Sequence, residues 1–424
     1  MHTQQPPRAS RSTHDVYLLD LINGISGALD YVSSTVTGHH RRVGVGAAAI
    51  GGAMGLDQRN TTDLLIAALL HDIGAFSLDL RLDGLDFDSD HTAHAKAGHR
   101  LLRLHPMLTR TADIILHHHT GWNRLPPMED AAVPLLANII NLMDRVDILS
   151  HVGTRILGRE RIRSSIRPLS GSFFAPAAVE AFLDLSAEPA FWEHLSDTWG
   201  HVRDGVESPI VEDIIPESQL LHFSRFFAYI IDFRSRHTAT HSRGVAETAV
   251  HLAGLAGMSA PDQNKLRLAG NLHDIGKLAV PVVILDKPSE LDDAEYDAVR
   301  NHAAACEAIL RAVPGLEDIT DWACQHHERI DGSGYPHGLK GHQISLGSRI
   351  VAVADVFTAV TEDRPYRAGM TPAQTHAVLK GMAASGSLDP DLVTLLLDHH
   401  AATTAVCGQA QRQALAEFKR FRTW

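Results

Sequence analysis

Apolar positions along this chain recur with helical rather than strand periodicity. In AEYDAVRNHAAACEAILRAV (294–313), Tyr296, Val299, Ala303, Cys306, Ile309, Leu310 and Val313 return at three- and four-residue spacing. That pattern predicts one amphipathic helix with His302 on its buried edge. RIVAVADVFTAV (349–360) is apolar almost all round and predicts a helix buried in a core, too short for a bilayer and carrying the carboxylate of Asp355. In SELDDAEYD (289–297), Ser289 or Asp292 can cap a helix with an acidic first turn, whereas capping residues are otherwise scarce. No long window shows period-two alternation, so the expected class is all-α, built of helical bundles.

The polar positions that interrupt these helices repeat. The second half carries HSRGV (241–245), LHDIG (272–276), His302, the pair His326–His327 and VADVF (353–357). The first half carries HHRRV (39–43), LHDIG (70–74), His94, the pair His118–His119 and LMDRV (142–146) in the same order. The interval from His39 to His71 equals that from His241 to His273, and the interval from His94 to His118 equals that from His302 to His326, with no gap in either. The remaining intervals differ by insertions in the second half, six residues after His273 and three after His327, the latter in the GSGYP loop. Two tandem helical bundle domains of one fold are expected, roughly 1–205 and 216–424, joined by RDGVESPIVEDIIPES (203–218) with its two prolines and acidic bias.

Composition narrows the chemistry. At 424 residues, with 44% apolar and 21% charged residues, the chain is long enough for two cores and ordinary for a soluble protein. MHTQQPPRASRST at the N-terminus lacks the apolar segment of an export signal and reads as a tail on a cytoplasmic protein, with no membrane partner. Three cysteines without a CxxC pair argue against a disulfide framework or a thiolate zinc knuckle, and Cys324 reads as packing. A net charge of −12 without a basic stripe excludes a duplex nucleic-acid surface, so an anionic substrate would need local cations or metal. The unusual number is 28 histidines, many beside one another or beside carboxylates.

Taken alone, His326 and His327 would read as exposed histidines at a helix end, and GSGYP as a turn. The ordered set changes both readings. An ionised carboxylate inside an apolar helix is costly unless paired or metal-bound, which Asp355 and its counterpart Asp144 both face. LHDIGK (272–277) supplies adjacent imidazole and carboxylate ligands, an aspartate able to bridge two cations, and Lys277, whose ammonium could meet a phosphate oxygen. Histidine and aspartate without thiolate suit iron, manganese or zinc. Two such ions would activate a water and clamp the oxygens of a phosphoester, so metal-assisted phosphoester hydrolysis is the expected reaction. His117, His222, His251, His337, His342, His399 and His400 fall outside the pattern, and the last two read as surface residues.

LHDIGKLAVP, HHERIDGSGYPHGLKG and ADVFTAVTEDRPYR resemble the HD-GYP family, a branch of the HD phosphohydrolase superfamily that hydrolyses cyclic dinucleotides, chiefly cyclic di-GMP. The resemblance runs from just before HSRGV to the end of the chain. It implies metal ligation by His241, His273, Asp274, His302, His326, His327 and Asp355, with Asp274 and Lys277 catalytic and Lys277 on the scissile phosphate. Gly334 and Tyr335 would line the bound dinucleotide, and Arg364 and Arg367 of DRPYR would hold its phosphate or guanine. Members with a third metal place a glutamate four residues before the first histidine, where this chain has His237. His237 is one turn from His241 and could serve as a ligand. The resemblance therefore implies two divalent ions, iron or manganese, and leaves a third open.

The first half resembles an HD domain with part of the signature erased. His39, His71, Asp72, His94, His118, His119 and Asp144 persist, but Ala75 stands where the second half has Lys277, TGWNRLPPMED (120–130) replaces the GSGYP loop, and no DRPYR follows Asp144. A regulatory or structural role is expected of it, with or without metal. For the whole chain the expected function is hydrolysis of cyclic di-GMP to linear pGpG and onward to GMP. The alternatives are a phosphodiesterase for another cyclic dinucleotide such as cyclic GMP-AMP, and a non-enzymatic dinucleotide receptor that signals through a partner; for the chain in either role a homodimer or a signalling-protein partner is the expected assembly.

Overall fold

The computed structural model describes residues 15–30, 37–77, 92–151, 157–196, 214–234, 240–287, 289–363 and 368–422. These residues form helices joined by turns, with two isolated bridges and no strand among them. The first half contains α1 (Leu18–Asp30), α2 (His39–Ala53), α3 (Gln58–Leu70), α4 (Thr92–Leu102), α5 (Thr109–Leu116), α6 (Val133–His151), α7 (Arg159–Ile166), α8 (Pro176–Leu185) and α9 (Pro189–Ser196). The second contains α10 (Glu217–Arg234), α11 (His241–Leu255), α12 (Ala260–Leu272), α13 (Val282–Leu285), α14 (Asp293–Arg300), α15 (His302–Arg311), α16 (Glu317–Cys324), α17 (Leu346–Thr361), α18 (Pro372–Ala384), α19 (Pro390–Asp398) and α20 (His400–Arg422). No helix among the described residues is long and apolar enough to cross a membrane.

The two halves pack alike. α2 lies on α3 and α6, and α11 lies correspondingly on α12 and α17, so that the first histidine of each repeat faces the helix that carries its aspartate. Each His-Asp pair stands where α3 or α12 ends and a 3-10 turn begins, Ile73–Ser77 in one half and Ile275–Ala279 in the other. The glycine of each turn permits a close approach. A Cβ on Gly276 would stand 1.8 Å from the carbonyl oxygen of His302, and one on Gly74 would stand 2.0 Å from that of His94. Only a residue without a side chain lets α15 and α4 come so near, and that contact sets the third histidine beside the pair.

α1 and α10 join the halves. α1 packs on α2 and α3 and also on α15 and the turn 275–279, while α10 packs on α11 and α12 and also on the turn 73–77. Phe223 of α10 is fully buried and stacks on His105 of the first half at 4.0 Å, and Ile215 donates its backbone N–H to Val16 O at 2.8 Å.

Three details depart from the expectations. The periodic stretch 294–313 is divided at Asn301 into α14 and α15, which puts His302 at the start of a helix against Gly276 rather than in mid-helix. Caps are more frequent than expected: Asp292 forms a full capping box with Glu295, and Asp57, Ser259, Ser345, Thr371 and Asp389 also cap helices through their side chains. His399 is exposed, but His400 packs on Phe357 and His376.

Candidate metal centre and substrate loop

In the second half, seven side chains distant in sequence meet at one buried point. His241 comes from α11, His273 and Asp274 from the end of α12, His302 from the start of α15, His326 and His327 from just after α16, and Asp355 from α17. They form two groups. The ligand atoms of His241, His273 and Asp355 all lie within 4.8 Å of one another, as do those of His302, His326 and His327. Asp274 joins the groups, with Oδ2 3.3 Å from His273 Nε2 and Oδ1 3.7 Å from His302 Nε2. One carboxylate facing two imidazole groups is the donor set a pair of cations requires.

The imidazoles are oriented from behind. His273 donates Nδ1–H to Gly270 O at 2.8 Å, His326 to Ala323 O at 2.6 Å, and His302 to Val299 O at 2.5 Å. Each bond fixes the tautomer and turns a bare Nε2 into the site. His302 Nε2 and His326 Nε2 are buried and have no hydrogen-bond partner among the described residues. Burial holds the pKa of His326 well below the usual range and lowers that of His327 to about 3, so both keep a lone pair. A buried acceptor left unmet costs about 1–3 kcal/mol, which a bound cation would offset. The residues therefore fit divalent metal.

Charge at the centre is mixed. Burial opposes ionisation of Asp274, but Lys277 and His273 outweigh it and hold its pKa well below the usual carboxylate value. Burial likewise disfavours charge on His241, yet its hydrogen bond to Asp355 and the neighbouring Glu362 carboxylate lift its pKa to about 10. Glu362 lies 3.5 Å from His241 Nδ1 and accepts a hydrogen bond from Thr240 Oγ1 at 2.6 Å. Lys277 Nζ donates to Asp274 Oδ2 at 2.6 Å. With Asp274 and Asp355 both anionic, a phosphate diester would be repelled unless cations stand between them.

The GSGYP loop closes over His327. Tyr335 donates its backbone N–H to His327 O at 3.2 Å, and its ring lies 4.8 Å from the His327 ring. Gly334 comes so near the preceding stretch of loop that a Cβ would be 2.4 Å from Arg329 N and 2.5 Å from His327 O. Burial raises the Tyr335 pKa, which keeps the phenol protonated. His237, Arg364 and Arg367, also expected at this site, lie outside the described residues.

Three contributors lie outside the sequence expectations. Glu328, buried to 2% exposure, accepts the backbone N–H of His337 at 2.7 Å and of Leu339 at 2.9 Å, pinning the returning limb of the loop to the histidine pair. Arg300 places its guanidinium 4.8 Å above the Tyr335 ring, a cation at the edge of the site. Glu362, already noted beside His241, is the third. A sequence signal exists only for Glu328, in the HHE run that the first half replaces with His-His-Thr.

Comparison with known proteins agrees with the repeat. HD domain models match residues 225–392 and 36–149. The 3'3'-cGAMP-specific phosphodiesterase 1 of Vibrio cholerae is 33% identical over 390 residues, covering 88% of this chain and 89% of that protein. A cyclic di-GMP phosphodiesterase of Pseudomonas aeruginosa is 38% identical over 197 residues, 46% of this chain and 47% of its own. The crystal structure of a cyclic GMP-AMP specific phosphodiesterase from V. cholerae matches 92% of this chain and 98% of its own, with a TM-score of 0.65 and 27% identity.

Proposed function

The chain belongs to the HD-GYP branch of the HD-domain phosphohydrolases and is a metal-dependent cyclic-dinucleotide phosphodiesterase, and from that premise we propose that 3'3'-cyclic GMP-AMP is its preferred substrate. The observation that supports hydrolysis is the convergence of seven ligand-type side chains in two groups with Asp274 between them, beside a loop that only the second half possesses. The choice of dinucleotide follows from similarity along nearly the whole chain to a 3'3'-cGAMP-specific enzyme. Relatives named for cyclic di-GMP match less than half of it, and they carry the second reading, that cyclic di-GMP is preferred.

Divalent ions held by His241, His273, Asp274, His302, His326, His327 and Asp355 would supply Lewis acidity and lower the pKa of an attacking water. The chain's own groups do the rest. Asp274 faces both imidazole groups and keeps their relative position. Lys277 stands at Asp274 Oδ2 with an ammonium able to follow charge onto a phosphate oxygen. Tyr335 offers a flat ring and a phenolic donor, and Arg300 a cation stacked on that ring. Water adds across one phosphodiester, the bond from phosphorus to the ribose oxygen breaks, and the product is a linear dinucleotide with a terminal phosphate.

With Mn(II) or anaerobic Fe(II), kcat/KM for 3'3'-cGAMP is expected to exceed that for cyclic di-GMP by about tenfold or more, as distinct exocyclic groups on the base permit. Equal constants, or a preference for cyclic di-GMP, would reverse the assignment. Tight binding of either without turnover would favour a receptor. Glu328→Ala should release the loop while leaving the histidine pair in place, with kcat/KM falling about 10- to 100-fold and bound metal retained. An unchanged rate constant would show that the pinned loop is dispensable.

A further inference from the structure

Two of the three cysteines, which no spacing along the chain pairs, meet in the core of the second half. Cys306 lies in α15 and Cys324 ends α16, 18 residues apart, at 0% and 2% exposure. Both are free thiols, and their sulfurs stand 2.6 Å apart. Unbonded carbon atoms pack at about 3.5–4.0 Å and sulfur is larger than carbon, so ordinary packing does not account for that approach. A disulfide bond measures about 2.05 Å. We propose that Cys306 and Cys324 are an oxidative modification site, which a hydroperoxide converts to a disulfide that clamps α15 to α16.

The place of the pair gives the bond its consequence. Cys306 follows His302 by one turn of α15, and Cys324 precedes His326 by two residues. Cys306 Sγ also faces Leu272 O, immediately before His273, at 3.8 Å. α16 packs on both α12 and α15, so the sulfurs stand where the elements carrying His273, His302 and His326 meet. Closing the bond requires the sulfurs to approach by only about half an ångström, which leaves the three histidines where they are. In the first half, Gly98 and Leu116 stand at the same distances from His94 and His118, so the thiol pair belongs to the second half alone. Cys407, in α20, faces Thr358 Oγ1 at 3.9 Å and serves as an internal control.

The reaction balances with the hydroperoxide as the sole oxidant. One thiol attacks a peroxide oxygen, the O–O bond breaks, and a sulfenic acid forms with release of water, or of an alcohol from an alkyl hydroperoxide. The second sulfur then attacks the sulfenic sulfur, the S–S bond forms, and hydroxide leaves with the second thiol's proton as water. Two electrons pass from the sulfur pair to the peroxide. Burial pushes the Cys324 thiol pKa well above its usual value, so the oxidation is slow. Contact between the sulfurs favours the disulfide over further oxidation, because the resolving thiol is already in place.

The test is a peptide map of the full chain. Protein purified under reductant is exposed to excess hydrogen peroxide, its remaining thiols are alkylated in denaturant, and a tryptic digest is analysed by mass spectrometry without reduction. Cleavage after Arg300, Arg311 and Arg329 places the two cysteines in separate peptides, 301–311 and 312–329. These should appear joined, two hydrogens lighter than their sum, from protein that runs as a single chain on a non-reducing gel. The joined species should be absent from Cys306→Ser, and Cys407 should remain alkylated. Closing a loop between residues 18 apart should also raise the melting temperature of the oxidised wild type by about 5 °C or more, with no such rise in Cys306→Ser. Alkylation of both cysteines after peroxide, sulfinic or sulfonic acid in place of the joined peptides, or a bond between two chains would overturn the proposal. Joined peptides without the thermal shift would overturn the clamp. The wild-type map decides the matter even if Cys306→Ser fails to fold, and no readout depends on hydrolysis in the second half.

Discussion

Replacing Asp274 with alanine is expected to abolish cyclic-dinucleotide hydrolysis and to strip metal from the second half. Its two oxygens serve both imidazole groups, at 3.3 Å from His273 and 3.7 Å from His302, so one substitution disconnects both. The loss also leaves Lys277 without the carboxylate it contacts at 2.6 Å. Changing a residue that merely orients a ligand already costs about 10- to 100-fold, so the rate should fall by about 10³-fold or more. Asp274→Asn separates charge from shape: the amide fills the same space but cannot bridge cations, and it should be nearly as inactive. Product analysis together with metal content would check both variants, and full turnover in either would refute the metal assignment. The equivalent Asp72→Ala should leave turnover standing, because the second half carries its own complete set of ligands.

Much of this centre could be read from residue order because helices make spacing rigid. A first histidine and its dyad, and a third histidine and its pair, recur at matched intervals with an aspartate following in the same order, and they can recur in space only if the intervening helices repeat as well. The carboxylates that orient the first histidine of each half could not be read in this way. Asp147 does it for His39 from three residues beyond Asp144, whereas Glu362 lies beside His241 from seven residues beyond Asp355. One task is met from different turns of the equivalent helix, so aligning the halves hides it. Glu328 is obscure for another reason. Its partners, His337 and Leu339, become neighbours only when the loop folds back, and an acid in HHERID reads as a surface residue until then. The contacts of α1 and α10 across the halves leave no periodic trace, since they join elements distant in sequence.

Gly276→Ala should damage the protein as severely as loss of a ligand, though it touches no metal. The added methyl would stand 1.8 Å from His302 O and 2.5 Å from Cys306 N, and both are backbone atoms at the start of α15 that cannot rotate away. The strain can be relieved only by moving α15 off the turn, which carries His302 away from Asp274. Overpacking against backbone costs about 3 kcal/mol or more, whereas the helix propensity gained on going from glycine to alanine is at most about 1 kcal/mol. The first repeat contains the same contact, with Gly74 against His94 O at 2.0 Å, so Gly74→Ala should destabilise its own half comparably while sparing His302. Gly381, on the exposed side of α18 with nothing within 4 Å of its added carbon, supplies the control and should be neutral or slightly stabilised by alanine. Thermal unfolding and turnover measured on all three would separate the cases. Gly276→Ala should lose both stability and activity, and Gly74→Ala mainly stability. If Gly276→Ala kept its melting temperature and rate, then the tight approach of α15 to the turn would not be what positions His302.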